Sequence, residues 1–275
     1  MNIIFFGKKS FSAQHLVNEI KENNKVFFYS RKKVRKKNHF TFDLSKKKPL
    51  PKSLYKLKDS YVFIFSSFVP INESNSKWED CKSVNIYGII NLLKQIKSPV
   101  KKIILASSCS VYGQNLNKID ENSFLNPQNN YSLSKFEQEN ILRIYSYQNG
   151  IDFLCYRIGY VFGSMMNKKR LLVRLLDSER KNKKIQLYNK NLNLNLIHTK
   201  DISKIILKTF RKARGVYNLT NKNYTSIKDF YFSLFKSDYY KSNKKNSINS
   251  KLYKDFPKLK NLNFKESINL FKNGN

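Results

Sequence analysis

Cysteine, histidine and acidic side chains are scarce in this 275-residue chain, and each shortage removes a class of function. The three cysteines, Cys81, Cys109 and Cys155, are odd in number and form no Cys-x-x-Cys pair. That argues against a disulfide framework or a zinc site and suits a reducing compartment. His15, His39 and His198 stand far apart in the chain, so no metal site is expected. No apolar run approaches the roughly 18 residues of a membrane-spanning helix, and the apolar stretch Met1–Phe6 is too short for a signal peptide. These shortages lead to the expectation of a soluble, cytoplasmic protein with no membrane insertion. Neither an internal repeat nor a stretch of linker composition is visible.

Acidic residues number 19 against 53 lysines and arginines, a formal net charge of +34. Alone, that balance points to nucleic acid or an anionic surface. Yet lysine is spread along nearly the whole chain, and Lys, Asn, Ile, Phe and Tyr are enriched together. All five have A/T-rich codons, so a nucleotide bias explains every enrichment where RNA binding explains one. No specific nucleic-acid partner is therefore expected. The densest run, Arg31 to Lys37, is expected to help recruit an anionic substrate.

The 40% hydrophobic content suffices for a sizeable core. Strands are expected at Asn2–Phe6, Lys25–Tyr29, Tyr61–Phe65, Lys102–Ala106 and Phe153–Tyr156. Helical spacing appears at Ala13, Leu16, Val17 and Ile20, over Ile86–Leu93, and from Tyr131 to about Tyr147. Strands alternating with helices imply a parallel sheet covered on both faces. Residues 1–163 are read as the core. Residues 164–275, irregular and basic, are read mainly as a smaller lobe, with 195–210 returning to the core. The Lys/Asn/Ser-rich tail after Lys236 reads as poorly ordered up to Leu252.

The most informative local feature is Tyr131-Ser132-Leu133-Ser134-Lys135, preceded by Ser107-Ser108-Cys109-Ser110-Val111-Tyr112-Gly113. A tyrosine and a lysine four apart share a helix face. In a cofactor cleft the ammonium would stabilise the phenolate, letting the phenol exchange a proton near neutral pH. Moving a tyrosine pKa from about 10 to about 7 takes roughly 4 kcal/mol, more than one lysine usually supplies. A lysine together with a positively charged nicotinamide is the expected source. Ser108 would hold the substrate oxygen beside the phenol. Taken alone, Tyr-x-x-x-Lys is equally well a solvated helix face; its neighbours give it weight.

A strand, a tight turn and a helix form the usual seat of a dinucleotide pyrophosphate. The G-x-x-G-x-x-G spacing falls on Gly7, Ser10 and Ala13, so only the first glycine is present and the other two positions are merely small. After the second strand, where an acidic residue would bind a ribose 2′-hydroxyl, the chain has Ser30-Arg31-Lys32. Basic side chains there accommodate a 2′-phosphate, so NADP(H) is expected over NAD(H). Asp43-Leu44 is placed to reach the adenine.

Together these pieces resemble the extended short-chain dehydrogenase/reductase family, the NAD(P)-dependent sugar epimerase/dehydratase group. The resemblance also runs through Val84-Asn85-Ile86-Tyr87-Gly88, Pro127-x-x-x-Tyr131-x-x-x-Lys135, Tyr156-Arg157-Ile158-Gly159-Tyr160-Val161-Phe162-Gly163, Ile197-His198-Thr199-Lys200-Asp201-Ile202 and Gly215-Val216-Tyr217-Asn218-Leu219. It covers roughly residues 1–220. It implies a Rossmann-type doubly wound α/β sheet with a small C-terminal substrate lobe, a tightly held nicotinamide cofactor, and hydride transfer at a sugar carbon. In that pattern Tyr131 is the acid/base, Lys135 binds the ribose and lowers the Tyr131 pKa, and Ser108 polarises the sugar oxygen. Gly7, Ser10, Ala13, Arg31, Lys32, Asp43, Leu44 and Ser66 join Tyr131 and Lys135 in holding the cofactor. His198, Asp201 and Trp78 are structural in this reading.

The departures from the pattern are informative. Ser108 is followed by Cys109-Ser110 rather than Asp-Glu, so dehydration is not expected. Epimerases of the group place a diphosphate-binding arginine four residues before the Ile-His histidine, and that position is Leu194. Either another basic residue, Arg170 or Arg174, takes the phosphate, or the substrate is not a nucleotide sugar. The expected activity is a keto-sugar reductase or 4-epimerase acting on a nucleotide sugar for surface polysaccharide, with a homodimer as the candidate assembly. The rival reading is a non-catalytic dinucleotide-binding regulator or RNA-associated protein.

Overall fold

The structure is a computed structural model. It describes all residues except 32–33, 47–48, 52–56, 74–75, 97–98, 114–118, 183–189, 222, 236–242, 248–250 and 261–262; of 223 and 243–247 it describes the backbone alone. Twelve strands are defined among the described residues. They are β1 (Asn2–Phe6), β2 (Lys25–Ser30), β3 (His39–Thr41), β4 (Ser60–Ile64), β5 (Val100–Ser108), β6 (Asp152–Ile158), β7 (Tyr160–Phe162), β8 (Asn193–Leu194), β9 (Leu196–His198), β10 (Gly215–Leu219), β11 (Asn223–Ser226) and β12 (Asn243–Ser247). The helices are α1 (Leu16–Glu19), α2 (Trp78–Lys82), α3 (Gly88–Leu93), α4 (Asn130–Gln148), α5 (Leu171–Arg180), α6 (Thr199–Thr209), α7 (Ile227–Phe235), α8 (Lys251–Asp255) and α9 (Phe264–Gly274).

Seven strands make the central sheet in the order β10-β6-β5-β4-β1-β2-β3, and every pairing in it is parallel. This is a Rossmann-type doubly wound arrangement, with its topological switch between β1 and β4. The central strands are buried on both faces, which is why they read as unbroken apolar runs: Ile3 to Phe6 and Ser60 to Ile64 are all buried. One face packs Phe5, Phe63 and Tyr156 under Leu16, Ile20, Ile202 and Ile206. The other packs Ile4, Val62 and Leu105 under Ile89, Leu92 and Leu142.

Chain beyond Gly163 is divided between two cores. Leu172, Leu176, Ile227, Phe230, Ile268 and Phe271 gather with Phe162 in a separate cluster, beside the antiparallel sheet β12-β11-β8. Ile197, Ile205, Phe210 and Leu219 pack instead on the central sheet, and so do Leu252 and Leu259. The return to the sheet thus runs past 210 and adds β10 as its seventh strand. Within the expected irregular tail, Asn243–Ser247 is a strand paired antiparallel with β11.

The first crossover differs from expectation. Instead of one helix from Ala13, a 3-10 turn (Phe11–Ala13) is followed by a single helical turn, α1. Ser10 N–H donates to Gly7 O (2.8 Å) and Ala13 N–H to Ser10 O (3.0 Å), so the loop closes on itself. Gly7 itself admits no side chain: its φ is +97°, and a Cβ would lie 2.4 Å from the Phe65 carbonyl carbon and the Ser66 nitrogen. Replacing it with alanine should cost about 2–4 kcal/mol, the strained backbone plus the clash. Urea unfolding of Gly7→Ala measures this, and a loss below about 0.5 kcal/mol would refute the close-approach argument.

Candidate active site

A cleft of about 1040 Å³ opens where the carboxyl ends of β1 and β4 diverge. It is lined by Gly7, Ser10, Arg31, Asp43, Leu44, Ser66, Ser108, Tyr131 and Lys135, so residues scattered over 130 positions meet in one place. Ala13 does not reach it. Its side chain is wholly buried in the core beneath the loop, where its small size permits packing against the sheet. Lys32 lies outside the described residues.

Each element aims its side chains for a local reason. Helix α4 starts with a capping box: Asn129 accepts from Ser132 N–H (2.8 Å) and Ser132 Oγ from Asn129 N–H (3.1 Å). That fixes where the helix begins and therefore where Tyr131 and Lys135 sit. Asn130 Nδ2 donates to Ser76 O (2.7 Å), and Tyr131 N–H to Ser76 Oγ (3.2 Å), anchoring the same turn to the loop after β4. Ser108 ends β5 and caps the turn Cys109–Tyr112, accepting from Ser110 N–H (3.1 Å) and Ser110 Oγ (2.9 Å). With two donors on its oxygen, its own proton is available to the Tyr131 phenol, whose pKa Ser108 draws down.

Tyr131 is buried, and burial first, then the Glu73 carboxylate, push its phenol well above the ordinary range; Ser108 and Arg170 work the other way. Lys135 is only 1% exposed. Its ammonium donates to Ala106 O (2.8 Å), to Gln138 Oε1 and, at 3.5 Å, to Ser67 Oγ. These neutral dipoles, rather than the phenol, are the described hydrogen-bond partners of the ammonium. Burial lowers its pKa to about 8, against smaller upward effects of Cys155 and Glu139.

Several contributors were missed in the sequence. Asn85, on a π-helical turn (Ser83–Tyr87), accepts from Ser67 Oγ (2.8 Å) and Phe68 N–H (2.7 Å) and donates to Ser134 Oγ (2.9 Å). It ties the Ser66–Phe68 cleft wall to α4. Its motif was visible, its role was not. Gly88 lets α3 approach the Asp43-Leu44 loop, since a Cβ there would lie 2.7 Å from Leu44 O. Glu73, Tyr160, Met165 and Met166 also line the cleft, and Arg170 does while Arg174 does not. Leu194, where the resembling epimerases carry arginine, is buried in the second core. Ser10, Ser12, Ser66 and Ser67 supply small polar walls, and Arg31 and Asp43 stand at the far end, a set that fits an elongated dinucleotide.

Residues 3–220 match the model of the NAD dependent epimerase/dehydratase family, and the chain belongs to that family. It is 24% identical to a Methanocaldococcus jannaschii protein provisionally named UDP-glucose 4-epimerase, over 98% of this chain and 94% of that one. Its fold is shared with a Thermus thermophilus UDP-glucose 4-epimerase solved in complex with NAD, with a TM-score of 0.81, 16% identity, and coverage of 100% and 98% of the two chains. A Thermotoga maritima UDP-glucose 4-epimerase solved with UDP-glucose gives a TM-score of 0.81 at 17% identity, covering 99% and 98%.

The depressed Lys135 pKa makes stability depend on pH. Between about 8 and 10.5 the folded lysine has released its proton while the unfolded one retains it, so stability rises with pH. The contribution is complete above 10.5 and gone once pH has fallen through about 8. Wild type should therefore gain on Lys135→Met across that window, by at most about 1.4 kcal/mol per pH unit. Urea denaturation of both proteins from neutral to alkaline pH measures the difference. Parallel curves would contradict a buried, depressed lysine.

Proposed function

We propose that this chain is a nucleotide-sugar 4-epimerase that uses a nicotinamide dinucleotide. The observation that carries the reading is the convergence of Ser108, Tyr131 and the buried Lys135 on one cleft at the sheet's switch point. Membership of the NAD dependent epimerase/dehydratase family supports it, as do the UDP-glucose 4-epimerases among its relatives.

In this reading Gly7, Ser10, Arg31, Asp43, Leu44 and Ser66 hold the dinucleotide along the cleft, and Lys135 faces its ribose. When bound, the oxidised nicotinamide supplies hydride acceptance and a positive charge near the phenol. Tyr131 exchanges the proton of the sugar C4 hydroxyl through its phenol oxygen. Ser108 donates a hydrogen bond that keeps the sugar and phenol oxygens adjacent. Arg170 rather than Arg174 compensates for Leu194 at the diphosphate, because only Arg170 lines the cleft. The Cys109-Ser110 sequence supplies no acid–base pair for dehydration. The Ser108–Tyr131 contact also weighs against a non-catalytic regulator. Residues 164–275 would contribute mainly to the sugar side. We place the enzyme in the cytoplasm, in the supply of sugars for surface polysaccharide; among the described residues no helix is long and apolar enough to cross a membrane.

Arg31 favours a second reading, an NADPH-dependent keto-sugar reductase. Its side chain lines the adenosine end, where a guanidinium offers a planar fork to a 2′-phosphate. Asp43 stands nearby, with Oδ1 engaged by Ser45 N–H (3.1 Å) and Ser45 Oγ (2.8 Å). An epimerase retains its nucleotide and regenerates it, whereas a reductase exchanges it each turnover.

Tyr131→Phe should lower turnover of UDP-glucose by about 10²–10⁴-fold while leaving dinucleotide affinity nearly unchanged. A variant that keeps more than about a tenth of the wild-type rate would remove Tyr131 from proton transfer. Calorimetric titration decides the cofactor: the reductase reading expects NADP(H) to bind about 10-fold more tightly than NAD(H), with Arg31→Ala abolishing the difference. Equal affinities, or NAD retained through purification, would leave the epimerase alone.

A further inference from the structure

Glu73 lies in the loop between β4 and α2, with its carboxylate on the same cleft wall as Tyr131, Tyr160 and Arg170. Its carbonyl is anchored from Ser76. Glu73 O accepts from Ser76 N–H (3.3 Å) and Ser76 Oγ (2.8 Å), and Ser76 in turn receives Tyr131 N–H and Asn130 Nδ2. The side chain of Asn129, the cap of α4, draws the pKa of the carboxylate down. Ser76 therefore ties Glu73 to the first turn of the helix that carries the phenol.

The charges around it are few. Arg170 enters from the start of α5, donates to Pro70 O (2.8 Å) and hydrogen-bonds the Tyr160 hydroxyl. Burial raises the Glu73 pKa, while the Arg170 guanidinium and Asn129 draw it back down. The carboxylate also acts electrostatically on Tyr131, which places it at the reacting end of the cleft rather than at the Arg31 end.

We propose that Glu73 determines substrate specificity, accepting hydrogen bonds from the hydroxyls of an uncharged sugar and repelling a sugar that bears a carboxylate. The inference rests on the cleft being a nucleotide-sugar site. A fixed carboxylate is an acceptor only, so it matches hydroxyl donors on a neutral hexose. A uronate would bring a second negative charge into a half-buried space, and like charges juxtaposed in such a space are costly. Among the described residues, Arg170 is the cation that acts on Glu73 and opposes this selection, and its hydrogen bond to Pro70 O directs it along the wall.

The test compares UDP-glucose with UDP-glucuronate, each titrated and assayed for 4-epimerisation with NAD-loaded wild type, Glu73→Gln and Glu73→Asp. Wild type should prefer the neutral sugar in kcat/KM, and Glu73→Gln should narrow that preference by about 10-fold or more, chiefly by gaining on the uronate. Glu73→Asp, which keeps the charge, should retain the preference. Equal loss on both sugars in Glu73→Gln would mean a structural role only and would overturn the inference. So would a wild type that handles the uronate as well as glucose, which would make Arg170 the dominant charge. Wild type that binds neither sugar would refute the nucleotide-sugar reading and this inference with it, a result distinct from binding both without discrimination.

Discussion

A buried ion pair behind the cleft sets the positions of nearly everything in front of it. Arg157 on β6 grips Glu139 on α4 through Nη2 to Oε2 at 2.9 Å and Nε to the same oxygen at 3.2 Å, with both residues about 5% exposed. Ser107 Oγ donates to Glu139 Oε1 (2.5 Å), and Arg157 Nη1 donates to Tyr112 Oη (2.7 Å). Tyr112 passes the chain on to Asn218 Oδ1 (2.8 Å), on the last strand of the sheet. Ser107 is the neighbour of Ser108, and Glu139 lies about two helical turns beyond Tyr131. The pair thus holds strand end and helix in one register, and the Ser108–Tyr131 contact follows from it. Such a pair adds little net stability compared with apolar residues, but breaking it leaves an uncompensated buried charge at about 3–5 kcal/mol. Its value here is positional.

Lys135 presents the opposite electrostatic situation a few ångströms of helix earlier. Its ammonium is as deeply buried as Arg157, yet it is held by a carbonyl, an amide and a hydroxyl rather than a carboxylate. Dipoles of that kind offset desolvation only in part, which is why the lysine is depressed. The positive charge is left uncancelled and faces the cleft. Across the same space Glu73 pushes the phenol the other way. The cleft therefore has a positive floor under the expected cofactor and a negative wall beside the expected sugar, with Tyr131 between them.

The sheet was legible because parallel strands buried on both faces are apolar without interruption at their centres, as residues 3–6, 61–65 and 103–106 are. Tyr131, Lys135 and Ser108 were legible because each belongs to a short local pattern. What escaped depends on contacts between distant segments. Glu73 meets the first turn of α4 through Ser76, more than fifty residues away, and no local spacing announces it. Gly88 matters because of Leu44. Helix geometry put Lys135 and Tyr131 on one face, but it does not say where a long side chain ends, and the carbonyl of Ala106 and the amide of Gln138 that hold the ammonium were not legible. The choice between Arg170 and Arg174 was open to a finer reading. Leu172, Val173, Leu175 and Leu176 are the buried apolar positions of α5, so position 174 had to face outward.

Leu194 shows how a departure in one position reorganises another part of the site. In β8 it pairs with Thr225 of β11 and contributes to the apolar cluster of Phe162, Phe230 and Phe271. An arginine there would need to carry its charge out of that cluster into the cleft, and the present packing gives that up for core volume. A cationic group that lines the cleft and acts on Tyr131 is Arg170, which precedes α5 in extended conformation (φ −73°, ψ 145°), with only its backbone committed to that helix. A guanidinium delivered from a helix start and tethered to Pro70 O lies beside Glu73 rather than apart from it. In the proposed site, anion recognition and sugar recognition would thereby be coupled through one pair of opposite charges. A change to either residue alters the field that the other, and Tyr131, experiences.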